Sequence, residues 1–422
     1  MGEKETARKK ILCSWLLVCL YSILIFLSIP IANKIQSYIS DRWGKNIFIY
    51  IVVLVLALGV VILVYISIFK RRVYTISNYI WLLLVIGGYA YFTFMLRKIP
   101  AEAIHFLEYG ILGFLIFKAL NHHIKDRSIF LTATALGLLI GTIDEILQWV
   151  APQRIWNFHD LGINAVSVGL FQLAIWKVIM LKTVSGNINT RSIRILTSMF
   201  AVEVIIIGLC LSNTPERVAS YTDLIPQLSF LQKEESMSEF GYKHDDPEIG
   251  TFYSRFTLKK LKEIDRNKWT DNAQILNDTA NMNYRQFLKD FNPITNPFLH
   301  ELRVHAYRRD AYIRKANKTQ VIDAKKESYF IAFKENLILD RYFTQTMENS
   351  IYRRNRGEIE NIERLIDKNK KYKSPVSSNL ITNFSETEAW LVILFSLFLL
   401  TLLNILYREK PTQKNNSIRT TR

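Results

Sequence analysis

Cysteine, proline and glycine are all scarce in this chain: 3 Cys, 10 Pro and 16 Gly in 422 residues. Cys13, Cys19 and Cys210 lie inside apolar runs, and none lies in the long polar stretch. That placement excludes a disulfide framework and a thiolate metal cluster. So few glycines and prolines fit helices better than a loop-rich β fold. A glycine-rich phosphate loop, a nucleophile motif and a zinc-protease triad are also missing, so no motif by itself supports an enzyme. Lys+Arg outnumber Asp+Glu by 54 to 37, a formal net charge of +17. These bases are spread along loops and form no single patch, which is not the footprint of a nucleic-acid binder. What the chain has in abundance is apolar sequence. Half of its residues are hydrophobic and they fall into long runs, which rules out a simple cytosolic enzyme.

A membrane-crossing helix needs roughly 20 mostly apolar residues. Eight runs qualify, at about 11–29, 46–69, 79–96, 103–120, 128–150, 161–182, 193–211 and 387–407. The first is long, has no clear cleavage site and is followed by further spans, so it reads as a span and not as a signal peptide. With the N-terminus inside, the inner segments hold 19 Lys and Arg and the short outer loops hold 6. That bias places both termini in the cytoplasm and residues 213–386 outside. Trp15, Trp43, Trp81, Trp149, Trp156, Trp176 and Trp390 lie in or beside spans, several near their ends, as an interfacial belt requires.

The expected fold is therefore all-α, a polytopic membrane helix bundle of about eight spans with a mostly helical extracytoplasmic domain. Its parts are two N-terminal spans (1–78), a central transmembrane domain (79–182), a seventh span (183–212), the extracytoplasmic domain (213–386), and the last span with a basic tail (387–422). The extracytoplasmic domain holds 29 Lys+Arg and 25 Asp+Glu, so most of the excess positive charge is topogenic. In that domain Asn296-Pro297 reads as an N-cap followed by proline in the first turn, opening a helix to about Asn317. Tyr329, Phe333, Leu337, Phe343 and Met347 form a loose helical stripe, read as a core face. Two or three longer helices are expected, with irregular chain near 236–250. The segment 300–310 is chemically dense. Glu301 and His305 are four residues apart on one helix face, but the zinc-protease spacing fails, and His244-Asp245-Asp246 supplies no firm third ligand. Arg303, Arg308, Arg309 and Asp310 read first as ion pairs between helices and second as an anion-binding group.

The polar residues inside the spans are the most informative. His105 and Glu108 are three apart at the start of the fourth span. Asp144 and Gln148 are four apart at the end of the fifth, with Glu145 between them. Arg154 and His159 lie in the short loop that follows, and Asp160 and Asn164 open the sixth span. The topology brings all of these near one membrane face, where they can converge on an outward-open pocket. Intramembrane acids are costly and point to function by default. The structural alternative is glue: Arg154 paired with Asp144, and amides stitching helices together. Glu203, alone in the seventh span, either packs on the pocket or makes an interhelical hydrogen bond. His122 and His123 read as solvated loop residues.

Taken together, His105-x-x-Glu108-Tyr109-Gly110-x-Leu112-Gly113, Asp144-Glu145-x-x-Gln148, Pro152-x-Arg154, Asp160 and Asn164 resemble the VanZ-like family, over about residues 79–182. The founding member of that family is linked to teicoplanin resistance. The resemblance implies a small multi-helix membrane domain acting at the envelope and supplies no settled reaction. Three functions follow. The first is a non-catalytic pocket for a lipid-linked precursor or a glycopeptide-type ligand, with Asp144, Gln148, Arg154, Asp160 and Asn164 binding it. The second is a membrane enzyme acting on a lipid-linked precursor, with Glu108, Glu145 and His105 as proton carriers, or with Asp144 and Asp160 on a Mg²⁺. The third is a scaffold docking a partner through the outer domain. Membrane lipids are the one partner expected in every case. No cofactor and no resident metal set is read from the spacing, and nucleic acid is not a partner.

The orientation is open to direct measurement. Cysteines introduced singly into a Cys-free background should react with an impermeant thiol reagent in intact cells at positions within 213–386, and resist it at both termini. Protection of 213–386 would reverse the membrane face assigned to the polar pairs.

Overall fold

The computed structural model describes residues 2–44, 46–70, 75–96, 100–151, 154–179, 184–232, 235–368 and 370–407. Pro152, several bases used to orient the chain (Arg71, Arg72, Arg97, Lys98 and Lys182) and the basic tail from Arg408 lie outside the described residues. The chain is 75% helical. Two compact units arise, one from residues 1–208 and 391–422, the other from 209–390.

In the first unit the apolar runs become helices because a bilayer leaves no water for backbone groups, and a helix satisfies them internally. The helices are α1 (Gly2–Trp43), α2 (Asn46–Tyr65), α3 (Ile76–Met95), α4 (Pro100–Leu120), α5 (Ser128–Val150), α6 (Phe158–Leu173) and α7 (Thr190–Ser212). After the polar unit comes the last helix of the chain, Glu386–Leu406. Among the described residues, seven helices are long and apolar enough to cross a membrane. Helix α2, 20 residues long and apolar almost throughout, covers most of the expected span at 46–69, and a π-helical turn, Ile66–Lys70, follows it. Leu16, Leu20, Leu54, Val61, Phe395 and Phe398 stay exposed on these helices. Such a surface suits hydrocarbon and would be a liability in water.

Helix α4 is the axis of this unit. Its Tyr109, Leu112, Ile116 and Phe117 pack with Val18 and Ile25 of α1, Ile129 and Ala133 of α5, and Val168 of α6. Its Ala103 and Phe106 pack with Val52 of α2 and Ile163 of α6. Polar ties add to this core. Tyr89 Oη donates to the Ser167 carbonyl at 2.8 Å, and Gln172 Nε2 donates to the Gly113 carbonyl at 2.8 Å. Between α5 and α6 the close approach depends on glycine. A Cβ on Gly137 would sit 2.7 Å from Val168 Cγ2, and one on Gly141 would sit 3.3 Å from Asn164 Cβ. Small residues four apart let two helix backbones approach in a membrane, where packing rather than water exclusion drives association. In the loop before α5, His122 and His123 are exposed, as expected, and each also reaches α1. His122 Nε2 lies 3.2 Å from Ser14 Oγ, and Trp15 Nε1 donates to His123 Nε2 at 3.2 Å, so both rings latch onto α1.

The second unit is polar and mostly helical: α8 (Pro215–Leu224), α9 (Leu258–Asp278), α10 (Tyr284–Asp290), α11 (Pro297–Lys318), α12 (Ile322–Tyr342), α13 (Thr344–Glu348) and α14 (Arg356–Glu363). The last apolar helix, Glu386–Leu406, is α15. Asn296 caps α11 by accepting from the Leu299 N–H at 3.1 Å, with Pro297 in the first turn. The stretch expected to be irregular near 236–250 instead leads into a hairpin, β1 (Tyr242–Asp246) antiparallel to β2 (Gly250–Ser254). Gly250 takes φ +102°, and a Cβ there would collide with the Tyr372 carbonyl, so only glycine closes this turn. Phe252, Leu261, Leu276, Phe298, Leu302 and Leu339 form the core. Of the aromatic stripe, Phe343 and Met347 join that core, and Phe333 packs in a smaller cluster with Ile313 and Ile362.

His300 gives this unit a specific acid sensitivity. Burial pushes its imidazole down, the nearby Arg255 adds to this, and the hydrogen bond to the Phe291 carbonyl opposes it; the result is about 4. A base whose folded pKa lies below its unfolded value of about 6.5 contributes full stability above that value and loses it as pH falls toward the folded pKa. Pulse proteolysis of the full-length protein should therefore show the polar unit losing stability from about pH 6.5 down to about pH 4. His300→Gln, which keeps a donor but cannot titrate, should flatten that slope. An unchanged slope would assign the acid sensitivity to another group.

Candidate functional site

Three neighbouring helices build the site. On α4, Glu102, His105 and Glu108 follow one another at three-residue spacing and so share a face. On α5, Asp144, Glu145 and Gln148 occupy the last two turns before Ala151. On α6, Asn157 caps the helix by accepting from the His159 N–H at 3.0 Å, which sets Asp160 in the first turn and Asn164 in the second.

His105 is the hub. Its Nδ1 lies 3.2 Å from Glu108 Oε2 and its Nε2 lies 2.9 Å from Asp144 Oδ2. Gln148 Nε2 donates to Asp144 Oδ2 at 3.1 Å and to Glu145 Oε1 at 3.0 Å. One connected array thus runs Glu108–His105–Asp144–Gln148–Glu145 across α4 and α5. Asp144 and Glu145 are buried at 0% and 1% exposure, while the side chains of His105 and Glu108 keep 22% and 31%. The array is open at one end and closed at the other. Asp160 lies close enough to act electrostatically on both Glu145 and Glu102. Asn164 is buried over Gly141, one turn from the α5 acids.

Lone pairs remain. Asp144 Oδ1, Glu145 Oε2 and both polar atoms of the Asn164 amide are buried and make no close hydrogen bond among the described residues, although the Tyr109 hydroxyl lies within reach of Asp144 and the Asn157 backbone within reach of Glu145. Buried polar atoms left open in this way need an explanation such as an ion, water or ligand. His105, Asp144 and Glu145 each present one donor atom to a common point, with these atoms within 4.8 Å of one another. This is the set that could hold a metal ion. Arg154, on the α5–α6 connection, does not pair with Asp144: among the described residues no carboxylate lies within 4 Å of it, and its buried Nε has no partner. Asp144 turns to His105 because the α4–α5 contact puts the imidazole within bonding distance.

The reading of spacing missed three residues. Glu102 belongs to the face of His105, as the Glu102-x-x-His105 spacing signals. Tyr109 packs its ring edge-on to His105, centroids 4.9 Å apart, and forms a buried wall. Gly141 makes room for Asn164, and its signal is the Gly137-x-x-x-Gly141 spacing. Glu203 takes the interhelical option: it accepts from Thr142 Oγ1 at 2.5 Å.

The candidates in the polar unit are spent on its interior. Glu301 accepts from the Arg255 N–H at 3.1 Å, and His305 pairs instead with Glu335 at 2.5 Å, so the two do not form a common ligand pair. Arg308 also binds Glu335, at 2.9 Å. Burial pushes the Glu335 carboxyl up, but His305 together with the hydroxyls of Tyr372 and Ser374 outweighs it and holds the group below the usual carboxylate range. Arg309 reaches Asp310, Asn336 and the Tyr352 carbonyl, and Asp310 binds Arg354. Arg303 stacks over the Tyr352 ring at 4.3 Å. His244 bonds the Phe256 carbonyl and Asp246 binds Arg341. Glu301 Oε1, Arg303 Nε and His305 Nε2 are also buried without a hydrogen-bond partner among the described residues, so what sets the α4–α6 cluster apart is that its His105, Asp144 and Glu145 bring three donor atoms within 4.8 Å of one another. No family model, curated protein or solved structure matches the chain.

Proposed function

We propose that the chain is a VanZ-like multi-pass protein of the cell envelope. Its α4–α6 site takes the polar part of a lipid-linked envelope precursor or a glycopeptide-type ligand, and the protein contributes in this way to teicoplanin resistance. The observation that carries this reading is the joined array of Glu108, His105, Asp144, Gln148 and Glu145 inside apolar helices. An ionisable group buried within a span is costly, less so near its end than at its centre, so four such groups in one array point to use rather than filler. Arg154 supports the reading, since a guanidinium unclaimed by carboxylates can take a phosphate or carboxylate in bidentate fashion. An apolar cavity of about 340 Å³ also supports it. Leu63 of α2, Val85 and Tyr89 of α3, Leu107 and Ile111 of α4, and Phe171 of α6 line this cavity. It suits a lipid chain, and on α4 its lining begins one residue from Glu108. In this reading both termini are cytoplasmic, residues 213–386 lie outside, and the site opens to the outer face.

A second reading, a membrane enzyme on a lipid-linked precursor, is favoured by one observation. His105 contacts two carboxylates, so a proton can pass between Glu108 and Asp144 through the ring.

Glu145→Gln separates function from structure. Cells expressing this variant at wild-type level should become about tenfold more susceptible to teicoplanin, the worth of roughly 1.4 kcal/mol of lost ligand interaction. Unchanged susceptibility at equal protein level would remove Glu145 from the site. A drop in folded protein, with susceptibility tracking the amount, would make it structural glue.

A further inference from the structure

We propose that His105, Asp144 and Glu145 hold a divalent first-row cation of the Mn²⁺ or Zn²⁺ type, whose open positions receive an anionic oxygen of the ligand. The role given to the ion rests on the reading of this site as a ligand site; the binding of the ion rests on geometry alone.

The first argument is spacing. Metal–oxygen and metal–nitrogen bonds run at about 2.0–2.2 Å, so ligands of one ion lie at most about 4.4 Å apart. The three donor atoms here lie within 4.8 Å of one another, so shifts of a few tenths of an ångström complete a shell. The second is the hydrogen-bond ledger of the imidazole. Both ring nitrogens face carboxylate oxygens, Glu108 Oε2 at 3.2 Å and Asp144 Oδ2 at 2.9 Å. A neutral imidazole carries one N–H and satisfies only one of them. If Glu108 takes the Nδ1–H, the Nε2 lone pair faces an oxygen lone pair, and a cation must bridge the two atoms. At 2.9 Å only a proton fits on the line between them, whereas a metal bonded to both at about 2.1 Å sits to one side with the two ligands cis. Metal-bound histidines generally donate their other N–H to a carboxylate, which is the position of Glu108.

The charge of the cluster favours a metal over a proton. Glu108 and Asp144 bond the His105 imidazole, Glu145 lies beside them, and Arg154 pairs with none of the three, while Asp160 faces His159 at 3.6 Å. One proton on His105 leaves this cluster negative, whereas a dication balances more of it. Asp144 Oδ1, Glu145 Oε2 and the Asn164 amide are buried and make no close hydrogen bond among the described residues, as outer groups around an ion would be. Gln148 donates to both acids and fixes their orientation. A nitrogen donor among oxygens favours a first-row ion over Mg²⁺ or Ca²⁺. Only three protein ligands leave positions open, as in metal sites that bind a further molecule. The ion also removes a conflict, since an acidic cluster alone repels a phosphate or carboxylate. The exposed edges of His105 and Glu108 give it a way in.

The test uses the full-length protein, purified in detergent without a histidine tag, stripped with chelator and titrated with Mn²⁺. About one ion per chain should bind, with electron spin echo modulation from one imidazole nitrogen, and Zn²⁺ should displace it. Asp144→Asn and Glu145→Gln should abolish binding. Glu108→Gln, which alters only the outer partner, should weaken it about 10–100-fold. His122→Gln with His123→Gln should change nothing. Absence of stoichiometric binding, or bound Mn²⁺ without a nitrogen coupling, overturns the proposal even if the acid variants fail to fold. Equal binding by folded Glu145→Gln overturns it as well. If metal binding fails while teicoplanin susceptibility still depends on Glu145, the metal falls and the ligand site stands. If metal binds and susceptibility is indifferent, the reverse holds.

Discussion

The bonding of one imidazole to two carboxylates inside an apolar bundle is the constraint on which the rest of the membrane unit depends. His105 sits on α4, one of its carboxylates on α4 and the other on α5. In hydrocarbon neither charge can be left alone, so the pairing fixes the rotation of α5 against α4. Once fixed, that rotation turns Gly137 and Gly141 toward α6, where Val168 and Asn164 lie against them. The glycine contacts then bring Asn164 and the start of α6 up to the acids. Apolar packing around Phe106 and Tyr109 surrounds the array and shields it.

The two units manage buried charge in opposite ways. In the polar unit Glu335 is closed on all sides, by His305, Arg308, Tyr372 and Ser374, and so serves to join α11, α12 and the chain near 372–374. In the membrane unit the corresponding acids are only partly matched, with Asp144 Oδ1 and Glu145 Oε2 left open. A satisfied network specifies a core, whereas an unsatisfied one carries a cost that a ligand or ion can remove. That contrast separates Glu335 from Asp144 and Glu145 more sharply than residue type does, since all three are buried acids and both clusters contain a histidine bonded to a carboxylate.

What could be read in the sequence was what local chemistry determines. The apolar runs gave the spans, and Asn296-Pro297 gave the start of α11, because hydropathy and capping depend on adjacent residues. The spacings His105–Glu108 and Asp144–Gln148 likewise correspond to real hydrogen bonds, since a helix places such pairs on one face. Partners across helices were beyond reach. His105 and Asp144 are 39 positions apart, and Arg154, the nearer cation in sequence, took no carboxylate. The arginines of 303–309 read first as ion-pairing residues, and Arg308 and Arg309 are so engaged, but their partners Glu335, Asn336 and the Tyr352 carbonyl are brought near only by folding and could not be named. The hairpin at 242–254 shows the same limit, since Gly250 acquires meaning only against the Tyr372 carbonyl.

The central claim is that α4 and α5 share one coupled polar array with His105 at its hub. Nitrogen NMR of the His105 ring, in chelator-treated full-length protein with selectively labelled histidine, tests this most directly. Both ring nitrogens should show hydrogen-bonded shifts, with Glu108→Gln moving Nδ1 and Asp144→Asn moving Nε2. A ring in free tautomeric exchange, indifferent to both substitutions, would contradict the account.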